Sequence, residues 1–236
     1  MTETIPAAMT DFEAQAYATL LGAGIATLVS FILAWQANRA TLKRDKAAKK
    51  EHQKSTLIKL MMKGSILVSD INSTMRAIDD MLRAANAEGR INLPFYAIIQ
   101  PVIGSRSSIS FSLEELEPLI EAKEYELVGE LIEIDMRFQG FQESMSQYNQ
   151  MRLDLKNLVK NSEMVGTVGT ATLSKEEYNR VQPHLIEMDS LIRQAVSMGR
   201  DIESEARKSV ARISPAARKY LDDEHFPKIE YADQTI

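Results

Sequence analysis

The sequence predicts an all-α chain, in which a single N-terminal transmembrane helix continues into an antiparallel cytoplasmic bundle of three long helices with short capping helices. Three observations predict it. Glu13 and Arg39 bracket 25 residues without a charge. From Leu57 onward, apolar residues recur at spacings of three and four in three separate runs. Only 10 glycines and 7 prolines interrupt 236 residues, which are rich in Leu, Met, Glu, Lys and Gln, all good helix formers.

At about 1.5 Å per residue, the stretch from Ala14 to Asn38 is long enough to cross a hydrocarbon core of about 30 Å. Leu20, Leu21, Ile25, Leu28, Val29, Phe31, Ile32 and Leu33 cover most of its circumference, where a buried core helix would leave a polar stripe. Tyr17 and Trp35 lie near its ends, the depth at which amphipathic rings favour the interface. It has no charged face of the kind that lays a helix flat on a membrane. Residues 1–13 carry Glu3, Asp11 and Glu13 but no Lys or Arg, unlike the start of a cleaved signal peptide. They are read as an external N-terminal tail, and residues 14–38 as the transmembrane helix. Within it Ala14, Ala18, Gly22, Ala26, Ser30 and Ala34 form a small-residue stripe. In lipid, close backbone approach along small residues is what favours helix pairing. Ala18, Gly22, Ala26, Ser30 and Ala34 are therefore the candidate transmembrane packing residues, and a homo-oligomer, most simply a two-fold dimer, is the expected state.

Residues 39–56 form a basic juxtamembrane helix with little to bury. Residues 1–38 carry a net charge of −3, residues 39–63 carry +7, and residues 64–236 carry −9. Lys and Arg are retained on the cytoplasmic side, which places the chain in the plasma (inner) membrane with its N-terminus outside and its C-terminal domain in the cytoplasm. Arg39, Lys43, Arg44 and Lys46 lie in the first turns after the span. Those four are the expected contacts to anionic lipid, each worth about 1 kcal/mol close to the surface. The acidic distal body argues against nucleic acid as a partner.

Residues 57–214 are the bundle domain. Its first face is Leu57, Leu60, Gly64, Leu67, Ile71, Met75, Ile78, Leu82 and Ala85, with stop signals from Asn86 to Gly89. Between Ile91 and Phe111 the period fails around Pro94, Pro101 and Gly104, and the stretch is read as an elbow capping the bundle end. Ser112 with Glu115 is a capping box that opens a short helix containing Pro118. A long helix follows from about Lys123 to Asn161, with Leu127, Leu131, Ile134, Phe138, Phe141, Met145, Tyr148, Met151, Leu155 and Leu158 on one face. Glu163 to Thr172 reads as a flexible connection. Ser174 with Glu177 is a second capping box, and the third helix carries Tyr178, Val181, Leu185, Met188, Ile192, Ala195, Gly199, Ile202, Ala206, Val210 and Ile213. Pro183 is expected to kink it and Pro215 to end it. Residues 215–236 are then a short helix over Ala216 to Asp222 and a tail. With short connections the helices alternate in direction, which puts Gly166 to Thr172 on the membrane side and the elbow and tail together at the far end.

Chemistry is sparse. His52, His184 and His225 fall in no metal-binding spacing, and the chain has no cysteine to join them. His184 with Glu187 and Asp189, and the cluster Glu114, Glu115, Glu117 and Glu121, are read as solvated helix faces. Neither G-x-x-x-x-G-K-[ST] nor G-x-S-x-G occurs. No catalytic residue, cofactor or metal is expected. The function expected from one span, three apolar faces and no chemistry is a membrane-anchored helical scaffold or adaptor that engages a protein partner at the lipid bilayer. The competing class is an oligomeric membrane effector, toxin-like or defensive, acting through its transmembrane helix.

Overall fold

A computed structural model describes residues 11–102, 109–159, 162–165, 168–171 and 173–231. Helix dominates, as α1 (Asp11–Ala87), α2 (Phe95–Ile98), α3 (Leu113–Glu121), α4 (Tyr125–Leu158) and α5 (Lys175–Leu221). A two-stranded antiparallel hairpin, β1 (Ser162–Val165) and β2 (Val168–Ala171), stands between α4 and α5. The chain divides into two compact units, Met1–His52 and Gln53–Ile236, and α1 runs through the boundary.

In the first unit the side chains from Ala18 to His52 are exposed throughout. One helix there is long and apolar enough to cross a membrane, and its apolar window is 0% buried. The hydroxyls of Thr19 and Thr27 donate to the carbonyls of Gln15 and Ala23, one turn back, at 2.8 and 2.7 Å. Both hydroxyls are thus satisfied within their own helix.

The second unit has one core. Leu57, Leu60, Leu67, Ile71 and Ile78 from α1 join Leu127, Leu131, Phe138 and Phe141 from α4 and Met188, Ile192, Ile202 and Ile213 from α5. Two glycines mark where helices come closest. A Cβ on Gly64 would lie 2.6 Å from a Val210 methyl, and one on Gly199 would lie 2.7 Å from Met75 Sδ and 2.9 Å from Phe141 Cε2.

Pairs across the core give the helix directions. Along α1 and α5, Gln53 meets Tyr220, Gly64 meets Val210 and Asp79 meets Arg200, so the two are antiparallel. Along α4 and α5, Glu130 meets Ser209, Phe141 meets Gly199 and Met151 meets His184, also antiparallel. It follows that α1 and α4 are parallel. The alternating order expected from the sequence is wrong, because the connection from Glu88 to Ser112 is long enough to return along the helices. Val102 lies beside Asn149, whereas Phe111 lies beside Asp135 and Ser110 beside Lys63. The expected elbow at one end is therefore a crossover, and parallel neighbours require a long one. The meeting ends of α4 and α5 lie beside α2, away from Gln53, and the C-terminal segment lies at the Gln53 end, each opposite to expectation.

Local signals explain the ends. Gly89 takes φ 68° and Arg90 N donates to Ala85 O, closing α1 where the Asn-Gly signal stood. Both capping boxes are present, Ser112 with Glu115 and Ser174 with Glu177. Pro183 and Pro215 both lie inside α5, so the separate helix expected over Ala216 to Asp222 is the last part of α5. The flexible connection expected from Glu163 to Thr172 is largely the hairpin, in which Glu163 pairs with Thr170. Gly166, Thr167 and Thr172 lie outside the described residues.

Candidate functional site

Two surfaces answer to the residues singled out in the sequence, and both lie on α1. Ala18, Gly22, Ala26, Ser30 and Ala34 are exposed, and a Cβ on Gly22 would meet nothing within 4 Å. Arg39, Lys43, Arg44 and Lys46 are exposed as well. The Arg39 guanidinium lies 5.5 Å from the centre of the Trp35 ring, a cation–π contact that holds the first positive charge beside the last aromatic of the apolar segment. At 100° per residue, Arg39, Lys43, Lys46 and Lys50 fall on one side of the helix, with Arg44 on another.

In the second unit the polar groups work as fasteners. At the end where α1 begins its buried run, Gln53 Nε2 donates to Glu121 Oε2 at 2.6 Å and to the Tyr220 hydroxyl at 2.7 Å, and that hydroxyl donates to Glu121. Burial and the Glu121 carboxylate push the Tyr220 phenol up to about 12. Lys54 pairs with Asp223 at 2.7 Å. Hydrogen bonding to Lys54 opposes desolvation and holds the Asp223 carboxyl below its ordinary range. These contacts bring α1, α3, α5 and the C-terminal segment together.

At the other end, the Tyr148 hydroxyl donates to Ile99 O at 2.6 Å. Arg152 donates to the same carbonyl at 2.7 Å, and also to Tyr96 O and to Gln100 Oε1. Asp189 accepts from Tyr96 N and, at 2.6 Å, from Arg193, whose guanidinium lies 4.1 Å from the Phe95 ring centre. Burial pushes the Tyr148 phenol up, with Arg152 acting against it. Tyr148 and Arg152 of α4 and Asp189 of α5 thus grip the backbone of the crossover where it starts, and Arg193 covers the Phe95 ring. Tyr148 appeared in the sequence only as one apolar position among ten; its hydroxyl is the part that periodicity cannot value.

His184 Nε2 lies 3.0 Å from Met151 O, and Asp189 is committed to Tyr96 and Arg193, so the histidine and the aspartate are not brought together. In the glutamate cluster, Glu115 serves its capping box and Lys63, Glu121 serves Gln53 and Tyr220, and Glu114 and Glu117 are exposed. No group of three metal-ligating side chains gathers among the described residues. A shallow open depression of about 490 Å³ lies along Pro183, Ile186, Glu187, Ser190, Leu191 and Gln194 of α5. Comparisons with protein-family models, with curated proteins and with solved structures find no match.

Proposed function

We propose that the chain is a single-span membrane protein with its N-terminus outside, and that its cytoplasmic helical bundle is a scaffold or adaptor holding a protein partner at the bilayer. The observation that carries this reading is the wholly uncovered apolar segment of α1. A core helix of a soluble fold is covered by its neighbours, whereas Leu20, Phe31 and Leu33 are 70%, 71% and 60% exposed, and so large a continuous apolar surface is not left to water. The run of basic residues on its C-terminal side alone supports the orientation. Arg39, Lys43, Arg44 and Lys46 then face the anionic headgroups of the inner leaflet, and the bundle is three long helices with α5 antiparallel to the other two. The small-residue stripe supports a homo-oligomer, with Gly22 and Ala26 at the closest approach of two spans.

The test is protease added to the outside of intact cells, with tags at both ends. Loss of the N-terminal tag alone is expected. Cleavage within residues 64–236 reverses the orientation, and release of the whole chain by alkaline carbonate removes the span. Expression of a chain lacking residues 57–236 is expected to leave the membrane potential intact; its collapse would favour an effector acting through the span. Replacing Gly22 and Ala26 with Ile is expected to abolish crosslinked oligomers in membranes while insertion persists.

A further inference from the structure

The positive charge of the chain is concentrated on α1, with +7 over residues 39–63 against −9 over residues 64–236. A topological signal needs only enough Lys and Arg on one side of a span. It does not need them on one face. Yet Arg39, Lys43, Lys46 and Lys50 follow one another at spacings of four, three and four, and each is exposed.

At those spacings side chains on a helix are neighbours, so each cation of the stripe adjoins another cation. Asp45 and Glu51 are the two carboxylates between Arg39 and Lys54, and both stand on other faces. Asp45 has Lys49 one turn on, Glu51 has Lys54 within a turn, and neither lies three or four residues from any member of the stripe. Like charges one turn apart destabilise a helix, and a solvated charged face relieves this by alternating signs. Here the relief is left to a group outside the helix. Leu42, 54% exposed, borders the stripe on one side and Ala40 and Ala47 on the other, so a second helix can approach over apolar and short side chains.

Length argues against a lipid headgroup as the whole occupant. Arg39 lies against Trp35 at the end of the apolar segment. Lys50 stands about 16 Å further along the axis, at about 1.5 Å per residue. A headgroup layer is about 5–8 Å deep on each side of a bilayer, so the stripe begins at the lipid surface and leaves it. Nucleic acid fits poorly as well. No Phe, Tyr or Trp occurs between Trp35 and Phe95 to stack a base, and the net charge of −9 over residues 64–236 repels a long polyanion.

We propose that this face of α1 is the docking site for an acidic helical segment of a membrane partner, one that rises from the same bilayer and presents Glu or Asp at three- and four-residue spacing to Arg39, Lys43, Lys46 and Lys50. Complementary stripes steer the encounter and fix its register. A partner held in the same bilayer also meets the stripe at a raised effective concentration. This partner is the one the scaffold reading above requires, and the site rests on that reading.

The test uses the full chain in vesicles of phosphatidylcholine, a neutral lipid, and a labelled synthetic peptide helix with Glu at alternating three- and four-residue spacing in an Ala and Gln background. Saturable binding is expected, weakened at least fivefold by Lys46→Gln with Lys50→Gln and less than twofold by Lys49→Gln with Lys59→Gln, which removes the same charge from other faces. Glutamine matches lysine in helix propensity, so neither pair of changes is expected to unfold α1. A peptide of the same composition with its Glu residues scattered round the helix is expected to bind at least fivefold more weakly. Equal loss from both pairs of changes, or equal binding of both peptides, overturns the stripe. Displacement of the peptide when about a third of the lipid is phosphatidylserine gives the stripe to the headgroups, and tighter binding of an oligothymidylate through the same lysines gives it to nucleic acid; each overturns the proposal. Absence of peptide binding by a chain that resists alkaline carbonate overturns the docking site and leaves the span. A chain that carbonate releases overturns the span and the proposal with it.

Discussion

Gly199 carries no side chain because Met75 and Phe141 already fill the space where its Cβ would stand. An alanine in a helix interior gains about 1 kcal/mol over glycine, but here the overlap with two buried side chains costs about 1–3 kcal/mol. Gly199→Ala is expected to lower the melting temperature, while Gly129→Ala, where nothing lies within 4 Å, is expected to raise it. Thermal melts of the two variants in one detergent check the sign of each. Glu115 gives a pH dependence at the same scale. Burial acts to raise its carboxyl, but hydrogen bonds from Lys63 and Ser112 outweigh burial and hold it below 4.5. A lowered carboxylate contributes stability that is present above its unfolded value and lost as pH falls through its folded value. Stability is thus expected to decline below about pH 4.5, less steeply in Glu115→Gln; identical slopes in denaturant titrations would separate Glu115 from the acid loss.

At the scale of elements, the crossover is held by hydrogen bonds and the long helices by apolar area. Tyr148→Phe removes one donor from Ile99 O but leaves Arg152 on the same carbonyl, so a loss of about 0.5–1.5 kcal/mol is expected. Phe138→Ala, at a site 1% exposed, is expected to cost about 3–5 kcal/mol. Amide exchange at Ile99 and Gln100 separates the two, since only the first variant should speed it without speeding exchange across α4. The same balance explains α5. Pro215 removes an amide donor and crowds the preceding turn, at a cost of about 3 kcal/mol, yet Ile213, Ala216, Ala217 and Leu221 on either side are buried and keep the helix running.

At the scale of the whole second unit, parallel α1 and α4 make a distance prediction. Met62 and Ile132 lie at similar levels along their helices, and Leu153 lies 21 residues further along α4, about 30 Å at 1.5 Å per residue. All three are exposed, so labels there disturb little packing. Spin labels at Met62 and Leu153 are expected to be at least 15 Å further apart than labels at Met62 and Ile132. The reverse order would restore alternating helices.

The sequence by itself determined the helices and most of their buried faces. Leu57 to Ile78, Leu127 to Met151 and Val181 to Ile213 were legible as one-sided patterns, because burial on a helix repeats every three or four residues whatever lies opposite. The capping boxes and the Gly89 stop were legible for the same reason, being chemistry within one turn. The candidate surfaces on α1 were likewise legible, since they depend on composition along a single helix. Only the tertiary structure decided direction, that is, which helix ends meet. Periodicity is the same read upward or downward, and the length of the Glu88–Ser112 connection allowed either a cap or a return. The Tyr148, Arg152 and Gln53 fasteners and the Lys54–Asp223 pair were hidden likewise, because each joins residues 49 or more positions apart. The Lys123 backbone is left-handed at φ 62° without a glycine to announce it, and there Lys123 N and Glu124 N donate to Ile120 O and Leu119 O, closing the end of α3.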